Sequence, residues 1–176
     1  MIPHLITYPR TGSHYLDRLI YKKAKFHIER SHTVNQLFDI NNKKTKRIVT
    51  IARDPKDSIA SWIGLNKFLG STYRGTSEMM TDYILLYNFL YDNADYVIGY
   101  EDLVEYPDAV TEKILELLEI NDENYLDFVT DVDYDSKTYI QSSKSVPGYG
   151  DINLDDFNFD SCYFYYERLL ERKIVV

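Results

Sequence analysis

The chain has 176 residues, 44% apolar and 15% aromatic, which fits one globular domain with a real core and argues against a disordered polymer. Its net charge of −8, from 20 Lys+Arg against 28 Asp+Glu, argues against a general nucleic-acid or anionic-membrane binder but leaves room for a local basic pocket. The one cysteine, Cys162, supplies neither a disulfide framework nor a cysteine metal site, and no apolar run approaches a membrane span. With strand character starting almost at Met1, the expectation is a cytoplasmic, soluble protein without a signal peptide.

In chain order, an apolar run (Ile2, Leu5, Ile6) predicts a first strand, which enters the turn Tyr8-Pro9-Arg10-Thr11-Gly12-Ser13. Tyr15-Leu16-Asp17-Arg18-Leu19-Ile20 leaves that turn with helical amphipathicity. Strand, small-residue turn and helix together aim backbone N–H groups and a helix N-terminus at one point, the usual geometry for an anion such as phosphate. Arg10, Thr11 and Ser13 add a cation and two hydroxyls. The turn is not a Walker A motif, because it has one Gly and no following Lys-Ser/Thr pair.

Alternation over Lys25-Phe26-His27-Ile28-Glu29 predicts a second strand running into Arg30-Ser31-His32, and Thr33 to Lys46 is expected to be a short helix or polar loop. Arg47 to Ala52 is a β-branched, nearly unbroken run, the pattern of a central strand covered on both faces. It ends at Arg53-Asp54-Pro55-Lys56-Asp57, where Asp54 suits an N-cap and Pro55 a first helical turn. Ile59, Trp62 and Ile63 continue that helix. Beyond a loop with Gly70 and Gly75, the residues Met80, Tyr83, Ile84, Tyr87 and Leu90 mark another. Tyr96 to Tyr100 predicts a fourth strand ending in Glu101-Asp102-Leu103, and Pro107 opens a helix with Val110, Ile114, Leu117 and Leu118 as its apolar stripe. No periodicity emerges from Asn121 to Tyr139. Ser142 to Gly150 has loop composition, and a last helix is expected over about Asp156 to Arg172.

Strands alternating with helices predict an α/β fold: a three-layer sandwich around a parallel sheet of about four to five strands, with residues 1–176 forming one domain. Ligands of such sheets bind beyond the carboxyl ends of the strands. The polar clusters Arg10 to Ser13, Arg30 to His32, Arg53 to Asp57 and Glu101-Asp102 all fall there. Four strand ends aim charge at one crevice.

In these segments the chain resembles sulfotransferases that use 3′-phosphoadenosine 5′-phosphosulfate (PAPS). Thr7-Tyr8-Pro9-Arg10-Thr11-Gly12-Ser13-His14-Tyr15 resembles the 5′-phosphosulfate loop T-Y-P-K-S-G-T-T-W of cytosolic members. Arg53-Asp54-Pro55-Lys56-Asp57-Ser58-Ile59-Ala60-Ser61 resembles the 3′-phosphate segment R-N-P-K-D-x-x-x-S, with Arg and Ser at the same separation. Tyr100-Glu101-Asp102-Leu103 with Pro107 resembles Y-E-D-L-x-x-x-P, and Arg30-Ser31-His32 stands where those enzymes have K-T-H.

The resemblance implies a P-loop-like sulfotransferase fold and transfer of sulfonate from PAPS to a hydroxyl acceptor, a carbohydrate or other small molecule, leaving adenosine 3′,5′-bisphosphate (PAP). It implies that the loop from Arg10 through Thr11, Gly12, Ser13, His14 and Tyr15 holds the 5′-phosphosulfate, with Tyr15 also stacking on adenine. Arg53 and Ser61 bind the 3′-phosphate, and Tyr100 contacts the nucleoside. Arg10 stabilises charge on the leaving phosphate and His32 is the general base; no metal is implied. His14 is a rival base, and Glu101 and Glu29 are remoter ones. Arg10 replaces the cytosolic enzymes' Lys, as in the Pro-Arg-Ser-Gly form of Golgi members, and His14 and Tyr15 replace Thr and Trp. The C-terminal R-K-G-x-x-G-D-W pattern is absent; Ser143-Lys144-Ser145 with Gly148 to Asp151 is the nearest analogue, making Lys144 a candidate nucleotide contact. Two other readings are a P-loop kinase of nucleotides or small molecules, which lacks the Walker Lys, and a non-catalytic nucleotide-binding module.

Overall fold

The structure, a computed structural model, describes residues 3–32, 47–71, 74–120 and 152–176. The expectations for Ile2, for Thr33 to Lys46 and for the Ser142 to Gly150 loop with Lys144 lie outside the described residues, as does the stretch from Asn121 to Tyr139.

Strands β1 (His4–Ile6), β2 (Glu29–Ser31), β3 (Ile48–Ala52) and β4 (Tyr96–Gly99) form a parallel sheet in the order β2-β1-β3-β4. The helices are α1 (Ser13–Ala24), α2 (Pro55–Phe68), α3 (Thr76–Asn93), α4 (Tyr100–Glu105), α5 (Pro107–Leu117) and α6 (Asp160–Leu170). Strand alternation sorts them into layers. Leu5, Val49, Ile51 and Ile98 point to one face and pack with Leu16 and Ile20 of α1, Leu103 of α4 and Val110 and Ile114 of α5. Ile6, Ile48, Ala52 and Val97 point to the other, under Ile59 and Ile63 of α2, Tyr83, Tyr87 and Leu90 of α3 and Leu169 of α6. Every residue of β3 is buried, as expected for a strand covered on both faces.

Boundaries differ from the sequence reading in three places, one of them the last helix, which is Asp160–Leu170 where about Asp156 to Arg172 was expected. The second strand is Glu29–Ser31 rather than Lys25 to Glu29. Lys25 instead caps α1, at φ 55°, its N–H bonded to the Tyr21 carbonyl at 3.0 Å. Phe26 and Ile28 are buried, but the Ile28 N–H donates to Asp17 Oδ1 at 3.1 Å and not to a neighbouring strand. Their alternation reflects core packing of a connector, and pairing starts only where Glu29 meets His4. The third difference is Tyr100, which begins α4 directly after β4.

Elsewhere the local chemistry behaves as its residues dictate. The Asp54 carboxylate accepts from the Asp57 N–H at 3.0 Å with Pro55 in the first turn of α2. Near the C-terminus, the Ile174 N–H bonds the Val97 carbonyl at 2.8 Å and Lys173 pairs with Asp102 at 2.9 Å, tying the chain end to β4. Among the described residues, no helix is long and apolar enough to cross a membrane.

Candidate functional site

The turn between β1 and α1 has an unusual backbone. Arg10 at φ 70° and Gly12 at φ 93° both adopt left-handed conformations, with Thr11 between them. A left-handed non-glycine residue costs about 1–2 kcal/mol, so Arg10 has to be held there. Two bonds do so: Arg53 Nη1 donates to the Arg10 carbonyl at 2.6 Å, and Arg10 Nε donates to Ser61 Oγ at 3.0 Å. Gly12 is required twice over, because a Cβ there would also lie 3.3 Å from the Tyr100 ring.

Gly12 is the N-cap of α1 and brings no side chain to cap it. The helix's own ladder starts with the Leu16 N–H to the Gly12 carbonyl at 3.0 Å, so the N–H groups of Gly12 through Tyr15 lie ahead of it. Together with the alternating handedness before them they have the form of a concave amide array, a geometry able to accept an anion. The Thr11 hydroxyl is turned inward, donating to the Tyr8 carbonyl at 2.8 Å, so Thr11 offers the array its backbone only. Ser13 is buried, while Tyr15 is partly exposed at the rim.

Arg53 connects the loop to the second segment. Its guanidinium lies 4.2 Å from the Tyr100 ring centroid and 4.0 Å from Asp57. Its backbone is fixed from α3: the Tyr83 hydroxyl donates to the Arg53 carbonyl at 2.7 Å, and the Arg53 N–H donates to the Tyr87 hydroxyl at 3.0 Å. Ser61, one helical stretch further along α2, reaches Arg10. Arg10, Arg53, Ser61 and Tyr100 therefore sit around one loop, and Tyr100 acts there as a plate between Gly12 and Arg53.

The histidines are sorted by their partners. His32 Nδ1 faces two oxygens of Thr7, the carbonyl at 3.0 Å and the hydroxyl at 3.3 Å; the nearer carbonyl can only accept, so Nδ1 carries the proton and Nε2 the lone pair of the neutral ring. Burial lowers its pKa below 6.5, with Arg30 adding to the depression and the Thr7 bond opposing it, so the ring is neutral at pH 7. His14 is arranged the other way. Arg30 Nη1 stands 2.5 Å from His14 Nδ1, and a guanidinium can only donate, so Nδ1 is the acceptor and Nε2 bears the hydrogen. Two neighbouring histidines thus hold opposite tautomers.

The remoter base candidates stand apart from this pair. Glu29 turns to the opposite side of the sheet, 3.4 Å from His4 Nδ1, and Glu101 is exposed at the start of α4. Sequence reasoning missed three parts of the site: the Tyr83 and Tyr87 hydroxyls, Arg30 as the partner of His14, and Asp17. The two tyrosines looked like one apolar face because their rings do pack in the core, stacked at 3.9 Å. Asp17 had a legible signal, a lone carboxylate between Leu16 and Ile20 on the buried side of α1. Among the described residues, no three His, Cys, Asp or Glu side chains group as metal ligands.

No protein-family model matches the sequence, and no curated protein matches it. Among solved structures, the crystal structure of mouse sulfotransferase SULT7A1 complexed with PAP is similar, with a TM-score of 0.52 and 15% identity over 97% of this chain and 83% of that one. At that identity the likeness concerns the arrangement of strands and helices, and on it the chain has the α/β, P-loop-like fold of a sulfotransferase.

Proposed function

We propose that the protein is a sulfotransferase that moves the sulfonate group of PAPS to a hydroxyl on a small-molecule or carbohydrate acceptor. The observation that carries this reading is the pair of bonds joining the loop to the second segment, Arg53 to the Arg10 carbonyl at 2.6 Å and Arg10 to Ser61 at 3.0 Å. They place two guanidinium groups and a hydroxyl beside an array of helix N-terminal amides, a fit for a ligand with anionic groups at two positions. The fold of the PAP-bound mouse enzyme supports it.

In this reading the amides of Arg10 to Tyr15 and the Ser13 hydroxyl hold the 5′-phosphosulfate. Arg53 and Ser61 hold the 3′-phosphate, and Tyr15 and Tyr100 flank the nucleoside. His32 Nε2 takes the proton of the acceptor hydroxyl as that oxygen bonds to sulfur. The bond from sulfur to the bridging oxygen breaks, and Arg10 stabilises the charge left on the phosphate, a contribution largest in the transition state. Being a guanidinium, Arg10 stabilises that charge without giving up a proton.

Calorimetric titration with PAP, AMP and ADP tests the nucleotide site. PAP is expected to bind at least about tenfold more tightly than AMP, a preference lost in Arg53→Ala. Equal affinity for PAP and AMP, or PAP binding unaffected by Arg53→Ala, overturns the assignment.

A further inference from the structure

The His14 side chain is held by a relay that starts inside the protein. Asp17 is 1% exposed on the inner side of α1. Its Oδ1 accepts from the Ile28 N–H at 3.1 Å and lies 3.3 Å from His27 Nδ1, and its Oδ2 stands 3.8 Å from Arg30 Nε. A buried carboxylate persists only when it is paired, so Asp17 and Arg30 hold one another. The far side of the same guanidinium reaches His14 Nδ1. One arginine, anchored at Nε, presents Nη1 to the imidazole.

We propose that Asp17 and Arg30 are positioning residues that fix His14 as a neutral Nε2–H hydrogen-bond donor to the anion held by the loop. The inference rests on the anion site proposed above and adds the role of His14 within it. His14 occupies the second position of α1, where the helix offers its amides. An Nε2–H donor at that point extends the array by one side chain. An imidazolium there would face the Arg30 guanidinium at Nδ1, which disfavours it. Burial pushes the imidazole down to about 4, with Arg30, His32 and Arg10 adding to the depression and Asp17 opposing it. His14 therefore cannot accept the acceptor's proton at Nδ1, which Arg30 occupies, nor at Nε2, which already carries one. Of these two histidines, His32 is the one whose Nε2 carries a lone pair.

The test is a nitrogen-15 NMR reading of the imidazole rings of the full chain, without nucleotide. In the native protein at neutral pH, His14 is expected to show a protonated Nε2 and an unprotonated Nδ1, with no titration above about pH 5. Arg30→Met is expected to give a mixture of tautomers and a midpoint moved upward; Asp17→Asn, which keeps the shape of Asp17 and removes its charge, is expected to give a similar mixture. A protonated Nδ1 in the native protein overturns the proposal, as does an unchanged ring in Arg30→Met. A pure Nε2–H tautomer in Asp17→Asn overturns the anchoring part. The native spectrum alone decides the tautomer if a variant does not fold. A second readout is PAP affinity: Arg30→Met and His14→Ala each weaken it about tenfold, and the double variant is no weaker than either. Additive losses overturn the claim that Arg30 acts through His14. Absence of PAP binding by the native protein contradicts the nucleotide site instead, while the ring tautomer still judges the relay.

Discussion

Proton placement on the two histidines is decided by what faces Nδ1. The Thr7 carbonyl leaves the His32 lone pair on Nε2, and the Arg30 guanidinium leaves the His14 hydrogen there. The sequence made both histidines candidates, because a histidine near a strand end says nothing about which ring nitrogen has a donor or an acceptor opposite. Those partners come from elsewhere in the chain. A residue acting as general base contributes about 10²–10⁴-fold, so His32→Ala is expected to lower kcat by that range with little change in PAP affinity. In the proposed mechanism His32 acts as a neutral base, and since burial holds its pKa below 6.5, that mechanism predicts a rate that falls on the acid side of that value and is flat just above it. A rate still falling as pH drops from 8 to 7 counts against His32. Stability follows the same sign. His32 and His14 have folded pKa values below the unfolded 6.5, the latter about 4, so below pH 6.5 the unfolded chain binds protons that the folded one does not. The stability they contribute is complete above pH 6.5 and is lost as pH falls toward 4. Thermal melts should show a midpoint falling over that window, with a shallower slope in His14→Gln.

The working elements are short connectors whose shape is enforced by their neighbours. The turn from Tyr8 to Ser13 was legible as a strand–turn–helix connection from its order and small residues. Its strained Arg10 was not, since φ at that residue depends on bonds from Arg53 and Ser61. Gly12→Ala must adopt a left-handed conformation costing about 1–2 kcal/mol and also press on Tyr100. Urea denaturation should show a loss of at least that size, and PAP affinity should fall with it. The start of α2 was legible to the residue, because Asp54 and Pro55 are local signals. Asp54→Ala is expected to cost about 1 kcal/mol through the lost cap, and somewhat more because the Tyr163 hydroxyl also bonds the carboxylate, at 3.0 Å. Tyr163→Phe, which removes only that bond, should lose only the excess when the two are compared in the same denaturation series. The β2 boundary was misplaced for a matching reason: alternation reports burial, and a connector packed under a buried Asp17 alternates as a strand does.

At the scale of the molecule, the order β2-β1-β3-β4 puts β1 and β3 side by side, so the two segments that follow them meet. Alternating strands and helices foretold a parallel sheet, but not which strands are neighbours, which is a matter of long-range pairing. The order explains how a chain of net charge −8 can gather Arg10, Arg30 and Arg53 about one loop: the basic residues follow or lie in adjacent strands. The central claim is that this cluster drives sulfonate transfer. The most direct measurement is transfer of radiolabelled sulfonate from PAPS to a panel of sugar, phenol and alcohol acceptors, with Arg10→Ala and His32→Ala alongside. The account expects label on at least one hydroxyl acceptor, greatly reduced in both variants. Tight PAP binding with no transfer to any acceptor, or transfer unaffected by either substitution, contradicts it.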